Sequence, residues 1–397
     1  MKSGEQNITS KEQFQTGNVI LISLAHHLHD IYSSFLAPIR PLLIEKFGIT
    51  LAMASLWDLV QRLPWLLNPI IGIIAEKTAA RYFVIITPAI TAITMSLLGL
   101  APSFTVVAIL LFVMGISGAM FHVPSPVMVK RLSGNRTGKG MSFFMFGGEM
   151  ARTIGPLVIT GAVTLWGLEG TWKLIPFGLL ASLILYFRLK KIRISTDIQS
   201  KTASKGFWQT FKNLLPFFIV LIGITFFRAI MKSGLTAFLP TYYFSEKGES
   251  LWFANSALAL FQLAGAIGTI VSGTVSDKLG RKTSLLIISF LTPILMFLFI
   301  SFSGWLSFVF LVLLGFFIFA PGPVLMALVQ DVGKEKPVFA NSIYMTISFI
   351  TASLSVVISG IIGDWVGLEM TYRISAFIAI GAIPFVLMLK SKRKPQN

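Results

Sequence analysis

The chain has 397 residues, of which 54% are hydrophobic and only 12% charged; its formal net charge is +17 and its mean hydropathy +0.79. So few charges cannot coat a soluble domain of this size, whereas a surface facing lipid needs no polar coat, which excludes an ordinary soluble globular protein. No cysteine is present, and this removes disulfides, thiolate nucleophiles and thiolate metal sites from consideration.

In chain order, residues 1–17 form a polar tail without the apolar core of a secretion signal, so the first helix itself is expected to direct insertion. Apolar stretches that meet the bilayer requirement of about 20 helical residues follow at 18–46, 50–75, 82–101, 104–130, 140–166 and 170–190. The polar segment Lys190–Lys212 separates them from a second set at 213–244, 250–276, 283–303, 305–329, 337–363 and 370–390, with a basic tail at 391–397. The expected organisation is therefore all-α: an N-terminal bundle over 18–189, a cytoplasmic linker over 190–212 and a C-terminal bundle over 213–390. Phe207, Trp208 and Phe211 either lie as an amphipathic turn at the headgroups or simply begin the seventh helix.

The two sets are copies of one unit. GLEGTWK at Gly167–Lys173 recurs as GLEMTYR at Gly367–Arg373, GIIAEKTAAR at Gly72–Arg81 as GTVSDKLGRK at Gly273–Lys282, and PSPVM at Pro124–Met128 as PGPVL at Pro321–Leu325. Duplication in so apolar a chain points to a transporter whose halves rock about a central site. Basic residues crowd the loops of one side, whereas the opposite loops hold only Lys46, Lys173, Lys247 and Arg373. This positive-inside asymmetry predicts cytoplasmic termini and accounts for the net charge without nucleic acid as a partner.

Gly273, Asp277, Lys278, Gly280, Arg281 and Lys282 combine glycines that permit a tight turn with an acid able to face a helix N-terminus and nearby bases. The first copy keeps Gly72, Glu76, Lys77 and Arg81 but has Ala79 and Ala80 where a glycine and a base recur in the second. These segments resemble the loop signature of the major facilitator superfamily, and the resemblance extends over essentially the whole chain. It implies twelve transmembrane helices in two pseudo-symmetric six-helix bundles, with these loops acting as a cytoplasmic latch. GGEMARTIGP at Gly147–Pro156 is similar to the glycine-rich pattern of superfamily antiporters, which implies export. His27, Leu28, His29 and Asp30, then Phe121, His122 and Pro124, then Gly147, Gly148, Gly155 and Pro156 resemble the fosmidomycin resistance group of bacterial exporters. That likeness implies a bacterial inner-membrane protein. His29, Glu149 and Arg152 depart from the residues usual in the group.

Ionisable side chains within a membrane are costly unless paired or wetted, so each needs a reason. Counted from the cytoplasmic helix ends, Asp30, Arg62, Arg152 and Arg228 come roughly 18–23 Å along their helices, and His26, His122 and Glu149 roughly 12–14 Å. His26 precedes Asp30 by four residues and His27 by three, so either ring can stack over the carboxylate. An acid and an imidazole so placed can exchange a proton near working pH; the alternative is solvated histidines at the cytoplasmic edge. Asp30 is expected to carry the coupling proton, with Glu149, His26, His27 and His122 as further candidates. Glu149 with Arg152, and Asp58 with Arg62, have the spacing of ion pairs, and for Glu149 both readings stay open.

The embedded bases Arg40, Arg62, Arg152, Arg228 and Lys232 outnumber the embedded acids Asp30, Asp58 and Glu149. Such a surplus favours an anionic or zwitterionic substrate gripped by the guanidinium fork, with water in the cavity as the competing way to satisfy it. Gln61 and Gln262 occupy matching repeat positions and serve either the substrate or a helix contact. Tyr32, Tyr242, Tyr243 and Tyr344 are site aromatics or packing residues.

Together these readings predict a monomeric, proton-coupled secondary transporter that exports a small anionic or amphiphilic compound by antiport. The same parts could run a proton-symporting importer. A divalent-metal permease competes through His26, His27, His29 and Asp30, although only two ligands from one helix converge easily. The sequence contains no nucleophile elbow, phosphate loop or zincin spacing, so neither enzyme chemistry nor a cofactor is expected.

Overall fold

The computed structural model describes residues 14–68, 71, 81–190, 207–333 and 337–389. Gly72, Glu76 and Lys77 of the first loop signature, most of the linker, and the side chains of Phe207, Trp208 and Phe211 lie outside that description. The described residues are helices and short turns, with no strand among them. The helices are α1 (Thr16–Ser33), α2 (Leu36–Phe47), α3 (Leu51–Arg62), α4 (Arg81–Ser96), α5 (Phe104–His122), α6 (Ser125–Leu132), α7 (Thr137–Trp166) and α8 (Ile175–Leu189). Then come α9 (Phe207–Thr241), α10 (Leu251–Leu279), α11 (Arg281–Ser301), α12 (Gly304–Phe319), α13 (Pro321–Val332), α14 (Pro337–Ile380) and α15 (Ala382–Met388).

Eight runs among the described residues are long and apolar enough to cross a membrane. The last of them, Ile343–Met388, has 46 residues and turns at Gly367, whose φ of +78° is non-helical. The first two spans of the sequence are interrupted. Ser33 and Ser34 bond back to the carbonyls of Asp30 and Ile31 at 3.0 and 2.7 Å, competing with the helical ladder where α1 gives way to α2. After α3, Pro64 introduces a short 3-10 stretch, Leu63–Leu67, because proline has no N–H to continue an α-helix.

The chain divides into two compact units, Met1–Leu43 with Val60–Gln199, and Ile44–Leu59 with Ser200–Asn397. The start of α3 belongs to the second unit for an identifiable reason. The Asp364 carboxylate accepts the N–H groups of Leu51 at 2.7 Å and Ala52 at 3.0 Å, which a helix N-terminus leaves without intrahelical partners.

The duplication is legible in the cores. One cluster of the first unit contains Val19, Ile22, Ala25, Val84, Met128, Val129, Phe144 and Leu189. Its counterpart in the second contains Phe218, Leu221, Ile224, Leu285, Leu328, Val329, Tyr344 and Leu389. Taken in order, these residues pair at separations of 199 to 201, so the same register buries the same positions twice. Gly167 and Gly367, the first residues of the repeated heptapeptide, share φ values of +73° and +78°.

Candidate functional site

In the first unit α1 lies against α7, and glycine makes the approach possible. A Cβ on Gly147 would stand 2.6 Å from the Ser23 carbonyl oxygen, and one on Gly148 would stand 2.5 Å from Cε1 of His26. Into this space α1 turns His26, whose ring stacks on Phe144 with centroids 4.0 Å apart. His29 stacks on Phe121 at 4.6 Å, and His122 meets both histidine rings edge-on at 5.1 and 5.4 Å.

Asp30 lies where these three imidazoles converge. Its Oδ2 is 3.3 Å from Nε2 of His26, and its Oδ1 is 3.1 Å from Nδ1 of His29 and 3.2 Å from Nε2 of His122. The side chains of Asp30, His26 and His29 are almost fully buried, whereas His122 is 26% exposed and lies beneath the indole of Trp65 at 5.7 Å. One ring position is fixed by chemistry: Nδ1 of His26 is 2.7 Å from the Phe144 carbonyl oxygen, which can only accept, so Nδ1 carries hydrogen. The Nε2 lone pair of a neutral His26 would therefore point at a carboxylate oxygen.

The expected acid–imidazole pairing on α1 is present through His26. His27 instead turns to the Gly147 carbonyl at 2.9 Å and helps to join α1 to α7. His29, absent from the expected proton-coupling set, is in direct contact with Asp30. Among the described residues its Nε2 has no partner, so it stands as a neutral ring donating through Nδ1. Among the described residues, His26, Asp30 and His122 also each offer one ligand atom within 4.8 Å of the others. Three atoms converge, one more than α1 can readily supply by itself.

The remaining candidates of this unit are distributed differently. Arg152 is bonded to Glu149 at 3.0 Å on the half-exposed face of α7, so the ion-pair spacing is realised. Gln61 donates to the Met114 sulfur at 3.3 Å, a helix contact. Arg40 is fully buried in α2, and Arg62 ends α3 half-buried. Tyr32 reaches the Leu174 carbonyl at 2.6 Å, which is a packing role.

In the second unit Arg228, 8% exposed, donates through Nη2 to the Ile318 carbonyl oxygen at 3.3 Å, while its buried Nε has no partner among the described residues. Tyr344, also buried, is close enough for electrostatic interaction with the guanidinium. Lys232, one turn along α9, holds its ammonium 4.4 Å from the Phe319 ring centroid. Gln262 is half-buried on α10.

At the α10–α11 turn Arg281 pairs with Asp277 at 2.5 Å and approaches Asp331 at 3.9 Å, an acid that spacing alone does not nominate. Lys282 donates to the carbonyls of Leu387 and Leu389 at 2.5 and 2.8 Å, closing the C-terminal end of α15. Gly280 has φ +90° at the turn, as expected, but Gly273 is not required for close approach: a Cβ there would meet only Pro323, at 4.0 Å. Lys278 is exposed, and Arg81 lies over the Tyr82 ring at 5.0 Å.

A helical membrane protein with duplicated units and buried charges on their first helices is the architecture of a transporter. Residues 22–355 match the family model of the Major Facilitator Superfamily, and the chain belongs to that family. It is 24% identical to the fosmidomycin resistance protein of Escherichia coli (strain K12), over 99% of this chain and 97% of that one. A bacterial homologue of the human lysosomal transporter Spinster superposes with a TM-score of 0.77 at 14% identity, covering 94% of this chain and 96% of the other. A D-xylose–proton symporter superposes with a TM-score of 0.73 at 15% identity, covering 95% and 98%. The protein is a multi-pass membrane transporter, not an enzyme, with the all-helical major facilitator fold, to which the eight membrane-length runs among the described residues belong.

Proposed function

We propose that the chain is a proton-coupled antiporter of the bacterial inner membrane that exports a small anionic or amphiphilic compound, acting as a monomer with both termini in the cytoplasm. The observation that carries proton coupling is the His26–Asp30 pair. Because Nδ1 of His26 is committed to the Phe144 carbonyl, Nε2 and Oδ2 face each other at 3.3 Å as two acceptors unless one proton lies between them. With the proton present the pair is a charge-assisted hydrogen bond; without it, opposed lone pairs drive the two groups apart. Loading and release of one proton thus change the packing of α1 against α7, the kind of link that alternating access requires. His122, the exposed member of the group, is the exchange point with water.

Export draws support from the fosmidomycin resistance relative, which also supplies the first compound to test. In everted vesicles carrying the purified protein, an imposed proton gradient should drive fosmidomycin accumulation together with measurable proton movement. Accumulation in right-side-out vesicles instead would replace export by symport. A gradient-independent flux would remove proton coupling.

A second reading has one specific observation behind it, the convergence of His26, Asp30 and His122 atoms, which could hold a divalent cation as cargo. Tag-free protein titrated with zinc distinguishes the two: a saturable site together with zinc uptake would favour a metal permease. Fosmidomycin export that is unaffected by zinc favours the proton.

A further inference from the structure

The helix register that pairs Val19 with Phe218, Ile22 with Leu221 and Ala25 with Ile224 also pairs His26 with Thr225, His29 with Arg228 and Asp30 with Ala229. Phe144, which stacks on His26, pairs with Tyr344. Arg228 therefore occupies the second unit's version of the Asp30 cluster. The neutral donor ring of His29 is replaced there by a permanently charged guanidinium, while the carboxylate beside it has become a methyl group.

We propose that this is an anion site: the acceptor that the first unit builds in as the Asp30 carboxylate is supplied to the second by the cargo, an organic anion with one carboxylate or phosphonate head. The proposal deepens the transporter reading and rests on it for the identity of the anion as cargo. An unneutralised guanidinium is among the most costly groups to bury, and among the described residues Arg228 donates to one neutral acceptor, the Ile318 carbonyl, out of five N–H donors. Its Nε is buried and unfilled. One missing carboxylate asks for one anionic head. Nε and a neighbouring Nη form the fork that planar carboxylates and phosphonates fit. Tyr344, in place of Phe144, brings a hydroxyl to the same position, and Lys232 adds positive potential one turn away. Arg152 is a weaker candidate because Glu149 already neutralises it on a half-exposed face.

The test is anion-dependent thermal stability of full-length protein in neutral detergent, with benzoate and methylphosphonate as probes and tetraethylammonium as the cationic control. Wild type should gain several degrees with either anion at millimolar concentration and nothing with the cation. Arg228→Gln should lose the gain and be no less stable than wild type without ligand. Arg228→Lys should keep the response with at least ~10-fold weaker affinity, because the charge remains and the fork is lost. Ala229→Asp, which restores the missing carboxylate, should abolish the response by neutralising Arg228 internally. Arg152→Gln should retain it.

An anion response that persists in Arg228→Gln, or no response in wild type, overturns the site. If Arg228→Gln does not fold, the Lys and Asp variants decide by the same criterion. Stabilisation by phosphatidylglycerol and not by the soluble anions would mean a lipid headgroup, and would overturn the cargo assignment. Absence of export alongside an intact anion response removes the exporter reading and leaves the site standing. Export that is insensitive to Arg228→Gln removes the site and leaves the exporter.

Discussion

The first helices of the two units, α1 and α9, bury the same faces in the same register yet carry opposite chemistry at one level. In the first unit a carboxylate is enclosed by three imidazoles, and each of its oxygens has a ring nitrogen within 3.3 Å. In the second, among the described residues, a guanidinium has one carbonyl partner and an Nε without one. A duplicated scaffold thus provides two equivalent positions, and sequence divergence has enclosed a carboxylate at one and placed a guanidinium at the other. On the proposed reading the first carries the proton and the second receives the anion, so symmetric architecture need not mean symmetric function.

The largest effect is expected where the Asp30 cluster is emptied of charge. Asp30→Asn keeps the size of the side chain but cannot take or give the coupling proton, so proton-driven accumulation should fall to background. Substrate counterflow without a gradient should remain measurable, because the neutral amide resembles the protonated acid. Retention of full pH-dependent accumulation would move the role to Glu149. His122→Gln should slow proton exchange without preventing it, lowering the rate of gradient-driven transport while leaving counterflow intact. His29→Asn tests the neutral clamp: it should displace the pH dependence of transport more than the amount of folded protein.

A second comparison concerns what each cluster rests on. A Cβ on Gly148 would fall 2.5 Å from the His26 ring, and one on Gly265 would fall 2.4 Å from the Phe319 ring that lies under Lys232. Either alanine overpacks its helix contact, with an expected cost of about 1–3 kcal/mol each. The functional consequences should differ. Gly148→Ala displaces His26 from Asp30 and should shift the pH profile of transport, whereas Gly265→Ala should leave that profile in place and weaken substrate affinity. Thermal unfolding in detergent gives the first quantity, and transport at several pH values gives the second. If both variants moved the pH profile alike, the division of labour between the units would be wrong.

Much of this was legible in the sequence because it is periodic or local. Apolar spans, the repeated heptapeptide, and the i to i+4 spacing of His26 and Asp30 all follow from helix geometry. His29 was not legible, since adjacent residues on a helix ordinarily point apart, and its contact depends on Nδ1 lying close to the backbone of its own turn. Contacts from other helices were equally hidden. Nothing in the spacing of His122, Asp331 or Asp364 indicates that they meet Asp30, Arg281 and the N-terminus of α3, because packing, not local sequence, sets those distances. His27 shows the reverse: its spacing permits contact with Asp30, but the close approach of α7 at Gly147 offers its ring a carbonyl instead.

The smallest effect separates the two copies of the repeated heptapeptide. Gly167 has φ +73° and ψ 170°, and Gly367 has φ +78° and ψ 165°, a region open essentially to glycine alone. Alanine should cost about 1–3 kcal/mol of backbone strain at either position. Their surroundings are unequal. A Cβ at Gly167 meets nothing within 4 Å, but one at Gly367 stands 3.4 Å from Oε1 of Glu246. That carboxylate accepts the N–H groups of Leu368 at 2.5 Å and Glu369 at 3.2 Å, capping the helical run that follows the turn. That separation is ordinary van der Waals contact, so the cap should survive the added methyl group and the two alanine variants should lose similar stability. Adding Glu246→Gln to each should then cost about 1 kcal/mol in both backgrounds, the usual worth of a cap. A smaller penalty in the Gly367→Ala protein would mean that the methyl group had already displaced Glu246, and that the paired glycines are matched in sequence but not in surroundings.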